Sequence, residues 1–130
     1  MSRNWIFYLE DILESAQKIR RYSDGLTFEQ FQLQDMVFDA VVRNLEIIGE
    51  AAKHSPPVGT AMMSDVDWSK GAGFRDVIVH GYFGLDAHVI RDVVQPKLPV
   101  LISSVEKALR QVKGQIPRET LATVTTNRRH

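Results

Sequence analysis

Apolar residues in this chain recur at steps of three and four, and no stretch reads convincingly at steps of two. That period matches the 3.6 residues of a helical turn and excludes a half-buried sheet as the main architecture. Trp5, Tyr8, Leu9, Ile12, Leu13, Ala16 and Ile19 make one apolar face and predict a helix from about Asn4 to Tyr22. Ser23-Asp24-Gly25 then reads as a turn, because Gly25 can take the positive φ that ends a helix. Thr27 and Gln30 have capping-box spacing, which predicts a new helix start.

The second helical region is expected to reach about Lys53, with a break near Gln34-Asp35. Its apolar set is broad: Phe31, Val37, Phe38, Val41, Val42 and Leu45, then Ile47, Ile48, Ala51 and Ala52. Such a helix is covered on more than one side, by bundle neighbours or by a second subunit. Asp39, Arg43, Glu46 and Glu50 form a polar stripe on it. Two readings of the stripe stand: a solvated ladder of ion pairs, or a row in which Arg43 faces a functional cleft.

After His54-Ser55-Pro56-Pro57 a connection leads to Asp67, an apt N-cap for a short helix from Trp68 to about Val79. A last helix is expected from near Asp86, as N-cap, to about Val112. Val89, Val93, Leu98, Leu101, Ile102, Val105 and Leu109 form its apolar face, and Pro96 and Pro99 are expected to kink or interrupt it. Gly114 stops it. The fold class is therefore all-α, a four-helix bundle with a short extra helix. Residues 1–113 form the helical domain, and 114–130 a polar, flexible tail.

Composition narrows the function. The net charge is zero, which argues against a protein that coats nucleic acid. A local basic site is still open, because Lys18, Arg20 and Arg21 cluster and Lys70 lies near Arg75. Without cysteine there is no disulfide, thiolate metal site or thiol nucleophile. No two histidines have metal-ligand spacing, and the glycines fit neither a P-loop nor a dinucleotide pattern, so no metal and no cofactor is expected. No apolar run approaches the roughly 20 residues that span a bilayer, and the first residues do not read as a signal peptide. The expected location is the cytoplasm, with no membrane partner.

The stretch Arg75-Asp76-Val77-Ile78-Val79-His80-Gly81-Tyr82 concentrates the chemistry. Arg is suited to grip phosphate through its rigid fork of donors. His is suited to move a proton near neutral pH. Together they can cleave RNA without a metal. The Tyr82 hydroxyl is placed where a modification would switch such a site off. The plainer alternative is an arginine on a helix face, a histidine that closes the helix and a packed tyrosine. His54, at a helix end, and His88, on the first turn of the last helix, read as ordinary surface histidines.

Several separated stretches together resemble one family. They are Tyr8-Leu9-Glu10-Asp11-Ile12-Leu13, the run from Val42-Arg43-Asn44 through Gly49-Glu50-Ala51-Ala52-Lys53, the run from Gly73-Phe74-Arg75 to Tyr82-Phe83, Asp92-Val93-Val94, and Leu98-Pro99. The resemblance is to the HepT group of HEPN-domain proteins, the toxin half of HEPN/MNT toxin–antitoxin pairs, and covers roughly residues 5 to 112. It implies an up-and-down helical bundle that forms a homodimer, with motifs from both subunits facing one cleft. It also implies a metal-independent endoribonuclease acting on tRNA or mRNA. The implied partner is a minimal nucleotidyltransferase antitoxin that transfers AMP to the motif tyrosine. On this sequence the catalytic roles fall on Arg75 and His80, with Asp76 in support and Tyr82 as the modified residue. Arg43, Asn44 and Glu50 are candidates to line the cleft or to staple the dimer. The connection from Pro56 to Val66 departs from the family pattern.

Geometry bears on how Arg75 and His80 meet. Five residues on a helix turn through about 500°, so the two side chains point about 140° apart. They share a site only if the helix ends between them or a second chain supplies part of it. Asp76 either orients one of them or is a solvated helix acid. A different class of function, a non-catalytic HEPN module that binds nucleotide or a partner, would keep the fold and lose the cleavage.

Overall fold

The computed structural model describes residues 4–54 and 87–114, and all regular structure among them is α-helical. The helices are α1 (Asn4–Ser23), α2 (Phe28–Leu33), α3 (Asp35–Lys53) and α4 (Ala87–Lys113). Outside the described residues lie the expected helix from Trp68 to Val79 with its Asp67 cap, the Asp86 cap and the tail beyond Gly114.

α1 is the element against which α3 and α4 pack, while the short α2 sits on α3 and α4. Trp5, Leu9, Ile12, Ala16 and Ile19 are buried on α1, as the periodicity predicts, and Ile6 and Ser15 join them. It packs along α3 and, less extensively, along α4. Both neighbours run antiparallel to it. Tyr8, near the start of α1, stacks on His54 just past the end of α3. Lys113, at the end of α4, pairs with Glu10 at 3.7 Å. α3 and α4 are therefore parallel to each other, and the chain leaves α3 at one end of the bundle and enters α4 at the other.

Local chemistry sets the breaks. The Ser23 hydroxyl donates to the Ile19 carbonyl at 2.7 Å, and Gly25 turns the chain with φ of +76°. Only glycine enters this region freely. The capping box is present: the Gln30 amide donates to Thr27 Oγ1 at 3.1 Å, and the Thr27 amide donates to Gln30 Oε1 at 2.9 Å. α2 lasts six residues and stops at Gln34, whose ψ of 89° is not helical. The expected break thus lies at the predicted place, and α3 starts afresh at Asp35.

On α3 the residues Val41, Leu45, Ile48 and Ala51 are buried, and Val37, Phe38, Val42 and Ala52 pack half-buried around them. On α4 the apolar face differs from expectation at its start. Val89 is exposed, and Ile90 takes the inward position. The reason is helical phase: Leu98, Leu101, Ile102 and Val105 fix the buried face, and stepping back from Leu98 by fours reaches Val94 and Ile90. α4 also runs through Pro96 and Pro99 without interruption. Each proline removes a hydrogen bond to the carbonyl four residues earlier, here on Asp92 and Gln95. Both prolines and both of those residues are exposed, so water can satisfy the freed carbonyls. Among the described residues no helix is long and apolar enough to cross a membrane.

The Gly25 turn gives a clean test, since a Cβ there would meet nothing within 4 Å. Gly25→Ala should cost about 1 kcal/mol through backbone strain alone, and Gly25→Asn less, because Asn tolerates the left-handed region. Urea unfolding of the three proteins measures the order.

Candidate functional site

Arg75, Asp76, His80 and Tyr82 lie outside the described residues. The other three candidates, Arg43, Asn44 and Glu50, all lie on α3. A helix rotates by about 100° per residue, so Arg43 and Glu50, two turns apart, share one face. Both are exposed, as is Asp39 in the same row, while Glu46 is half-buried. Asn44 is one residue further round and is buried at 6 % exposure among the core side chains. Its Nδ2 donates to the Ala40 carbonyl at 2.8 Å. α3 therefore brings Arg43 and Glu50 to a common outer surface and turns Asn44 inward.

The polar row continues to His54. Its ring nitrogen Nε2 lies 3.2 Å from Glu50 Oε1. The backbone amide of His54 also donates to the Ala51 carbonyl, closing the helix. A protonated imidazole there meets both a carboxylate and the negative end of the α3 dipole. The ring is further held by Tyr8, stacked at 5.2 Å with an interplanar angle of 20°. Glu50 and His54, both exposed, and the half-buried Tyr8 thus form one cluster at the end of α3 from which the chain enters the segment carrying the Arg-His motif. Sequence reasoning placed His54 at a helix end but had no means of finding Tyr8 beside it. The Glu50–His54 spacing of four was the available signal for the pair.

His88 is exposed on the first turn of α4, as expected, and its ring lies 4.6 Å from that of Phe28. The basic group at the end of α1 divides. Lys18 pairs with Glu14 at 3.4 Å, while Arg20 and Arg21 are exposed in the last turn.

Comparison with known proteins adds an independent observation. A family model described as "Ribonuclease HepT-like" matches residues 12–108. A protein of Thermococcus cleftensis, named as a probable ribonuclease HepT, is 36% identical over 107 residues, covering 82% of this chain and 97% of its own. A candidate RNase of Methanocaldococcus jannaschii is 34% identical over 108 residues, 83% of this chain and 89% of its own. A candidate RNase of Caldanaerobacter subterraneus subsp. tengcongensis is 36% identical over 106 residues, 82% of this chain and 95% of its own. No solved structure matches the chain.

The α3 geometry predicts a split between stability and activity. Arg43→Ala and Glu50→Ala should each change the unfolding free energy by no more than about 0.5 kcal/mol, as exposed positions do. Asn44→Asp should cost more than about 2 kcal/mol, because it buries a carboxylate against the Ala40 carbonyl. Chemical denaturation checks all three. A loss of activity in either of the first two then reports function and not folding.

Proposed function

The chain belongs to the HepT-like ribonuclease family and is an endoribonuclease of that type, and we propose that it cleaves RNA without a metal through Arg75 and His80. The observation that carries this reading is the Arg75–His80–Tyr82 grouping, which falls inside the stretch matched to the family. The reaction is attack of a ribose 2′-hydroxyl on the adjacent phosphorus. His80 exchanges the proton that the hydroxyl loses or the leaving 5′-oxygen gains. Arg75 binds the phosphate and offsets charge that develops on its equatorial oxygens. The bond to the 5′-oxygen breaks, leaving a 2′,3′-cyclic phosphate and a free 5′-hydroxyl. Asp76, next to Arg75, orients one of the two catalytic side chains.

The biological setting follows from the same reading. The protein is the toxin of a HEPN/MNT pair in the cytoplasm, and it acts on tRNA or mRNA as a homodimer. Two subunits would solve the angular problem of Arg75 and His80. Exposure of two large apolar side chains, Leu33 at 83% and Met36 at 87%, supports a surface that a second chain covers. The nucleotidyltransferase antitoxin inactivates the toxin at Tyr82. The phenol oxygen attacks the α-phosphorus of ATP, loses its proton and releases pyrophosphate. The added phosphate and adenine then oppose RNA by charge and by bulk.

The test is incubation of the purified protein with total RNA in EDTA, after mass spectrometry has shown Tyr82 unmodified. Wild-type protein should cleave, and Arg75→Ala and His80→Ala should each lose about 100-fold or more. Intact RNA with folded wild-type protein would favour the non-catalytic binding module. If the site is shared between chains, dimers mixed from the two inactive variants should regain a measurable part of the activity. Tyr82→Phe should escape inactivation by antitoxin and ATP, and the wild-type protein should gain the mass of adenylyl groups.

A further inference from the structure

A cleft of about 110 Å³ opens where the α1–α2 turn, α2, α3 and α4 meet. Phe31, Val41 and Ile90, all buried, line it together with the half-buried Val94. Phe28 and Arg91 also line it, and the Arg91 guanidinium lies over the Phe28 ring, 4.3 Å from its centre. Thr27 and Gln95 add polar groups to the lining.

We propose that this cleft is a subsite for one unpaired base of the RNA substrate, with Arg91 holding the phosphate beside that base. The proposal rests on the reading of the protein as a ribonuclease and adds a position that binds RNA away from the reacting bond. The chemistry of the walls selects the ligand. A nucleobase has two apolar faces, a polar edge and a phosphate attached through ribose. The aliphatic lining accepts a face. The Gln95 carboxamide offers both a donor and an acceptor to the edge. The Thr27 hydroxyl accepts from the Gln30 amide at 3.1 Å, which leaves its own proton to donate.

Arg91 is placed for the phosphate. Its packing on Phe28 limits the freedom of the guanidinium, so less entropy is lost on binding. Its ion pair is with the adjacent Asp92 at 3.6 Å, and that acid is 73% exposed. Such a pair is weak and exchanges readily for a phosphate. Arg20 and Arg21 precede Ser23, another lining residue, but Asp24 on the α1–α2 turn and Glu29 in the first turn of α2 are exposed nearby in the chain. The surrounding field is therefore mixed, and the phosphate contact rests on Arg91. At about 110 Å³ the space is smaller than the enclosed cavity of about 150 Å³ that holds a benzene, so a base enters the open cleft only in part and the rest of it stays in the mouth. The base enters edge-first and the ribose stays outside, so the strand must be unpaired. An aliphatic side chain from a protein would fill the floor and leave Arg91 and Gln95 without partners.

The test uses the full-length His80→Ala protein and a short fluorescein-labelled single-stranded RNA, with affinity read by anisotropy. In that background Arg91→Lys keeps the charge and removes the planar fork. Val94→Phe fills the cleft, Gln95→Ala removes an edge partner, and Arg110→Ala, at the far end of α4, is the control. Arg91→Lys and Val94→Phe should each weaken binding about tenfold, the scale of one hydrogen bond to a charged group, while Arg110→Ala leaves it unchanged. A duplex of the same sequence should be insensitive to all four changes.

Unchanged affinity in Arg91→Lys and Gln95→Ala, both surface changes that spare folding, would overturn the proposal even if Val94→Phe fails to fold. Equal weakening by Arg110→Ala would overturn it as well, by reducing binding to diffuse charge. The two levels of the reading separate cleanly. RNA that binds in an Arg91-dependent way without being cut by the wild-type protein would sink the catalysis and keep the subsite. RNA that is cut with no dependence on Arg91 or Gln95 would sink the subsite alone.

Discussion

Burial of one face of α1 against α3 and α4 is the interaction on which the rest of this structure depends. Leu9, Ile12, Ala16 and Ile19 are completely buried, and Leu45, Ile48, Leu101 and Val105 are equally buried on the neighbours. Each of the leucines, isoleucines and valines among them contributes on the order of 1.5–3 kcal/mol, far more than the ion pairs among the described residues, whose partners are exposed or half-exposed. Because α1 is the shared neighbour, it fixes α3 and α4 as parallel elements. That arrangement sets the ends between which the motif-bearing segment runs.

The two ends of the bundle carry different chemistry. At one end, α3 closes on His54, with Glu50 and Tyr8 around it. At the other, the α1–α2 turn and the start of α4 enclose the cleft beneath Phe28 and Arg91. The cleft depends on the short α2. Its capping box and its stop at Gln34 turn the chain twice within about ten residues, which swings Phe28 and Phe31 over the start of α4. A single unbroken helix from Thr27 to Lys53 would carry those aromatic rings along one axis and could not form this wall.

The chain belongs to a ribonuclease family, and the Arg75–His80 pair proposed to cleave RNA falls inside the matched stretch. Arg43 and Glu50 stand on the exposed face of α3, while Asn44 is bound into α3 itself. One α3 motif thus contains two kinds of residue. Some of its letters hold the helix in place, and others are free to meet a substrate or a second subunit.

The sequence by itself determined α1, the capped start of α2 and the break between α2 and α3, and it singled out the motif residues as candidates. Periodicity marked the buried face of α1, Gly25 and Thr27 marked the turn and cap, and residue types at fixed spacing marked Arg75, His80 and Tyr82. These features are local: a backbone angle, a hydrogen bond across three residues, a repeat of 3.6. Even so, the start of the α4 face was misplaced, since Ile90 and not Val89 is in phase with the buried Leu98, Leu101, Ile102 and Val105. The tertiary structure alone decided which residues far apart in the chain meet, such as Tyr8 with His54 and Phe28 with Arg91. No local rule encodes those contacts, since they follow from the angles and depths at which whole helices pack.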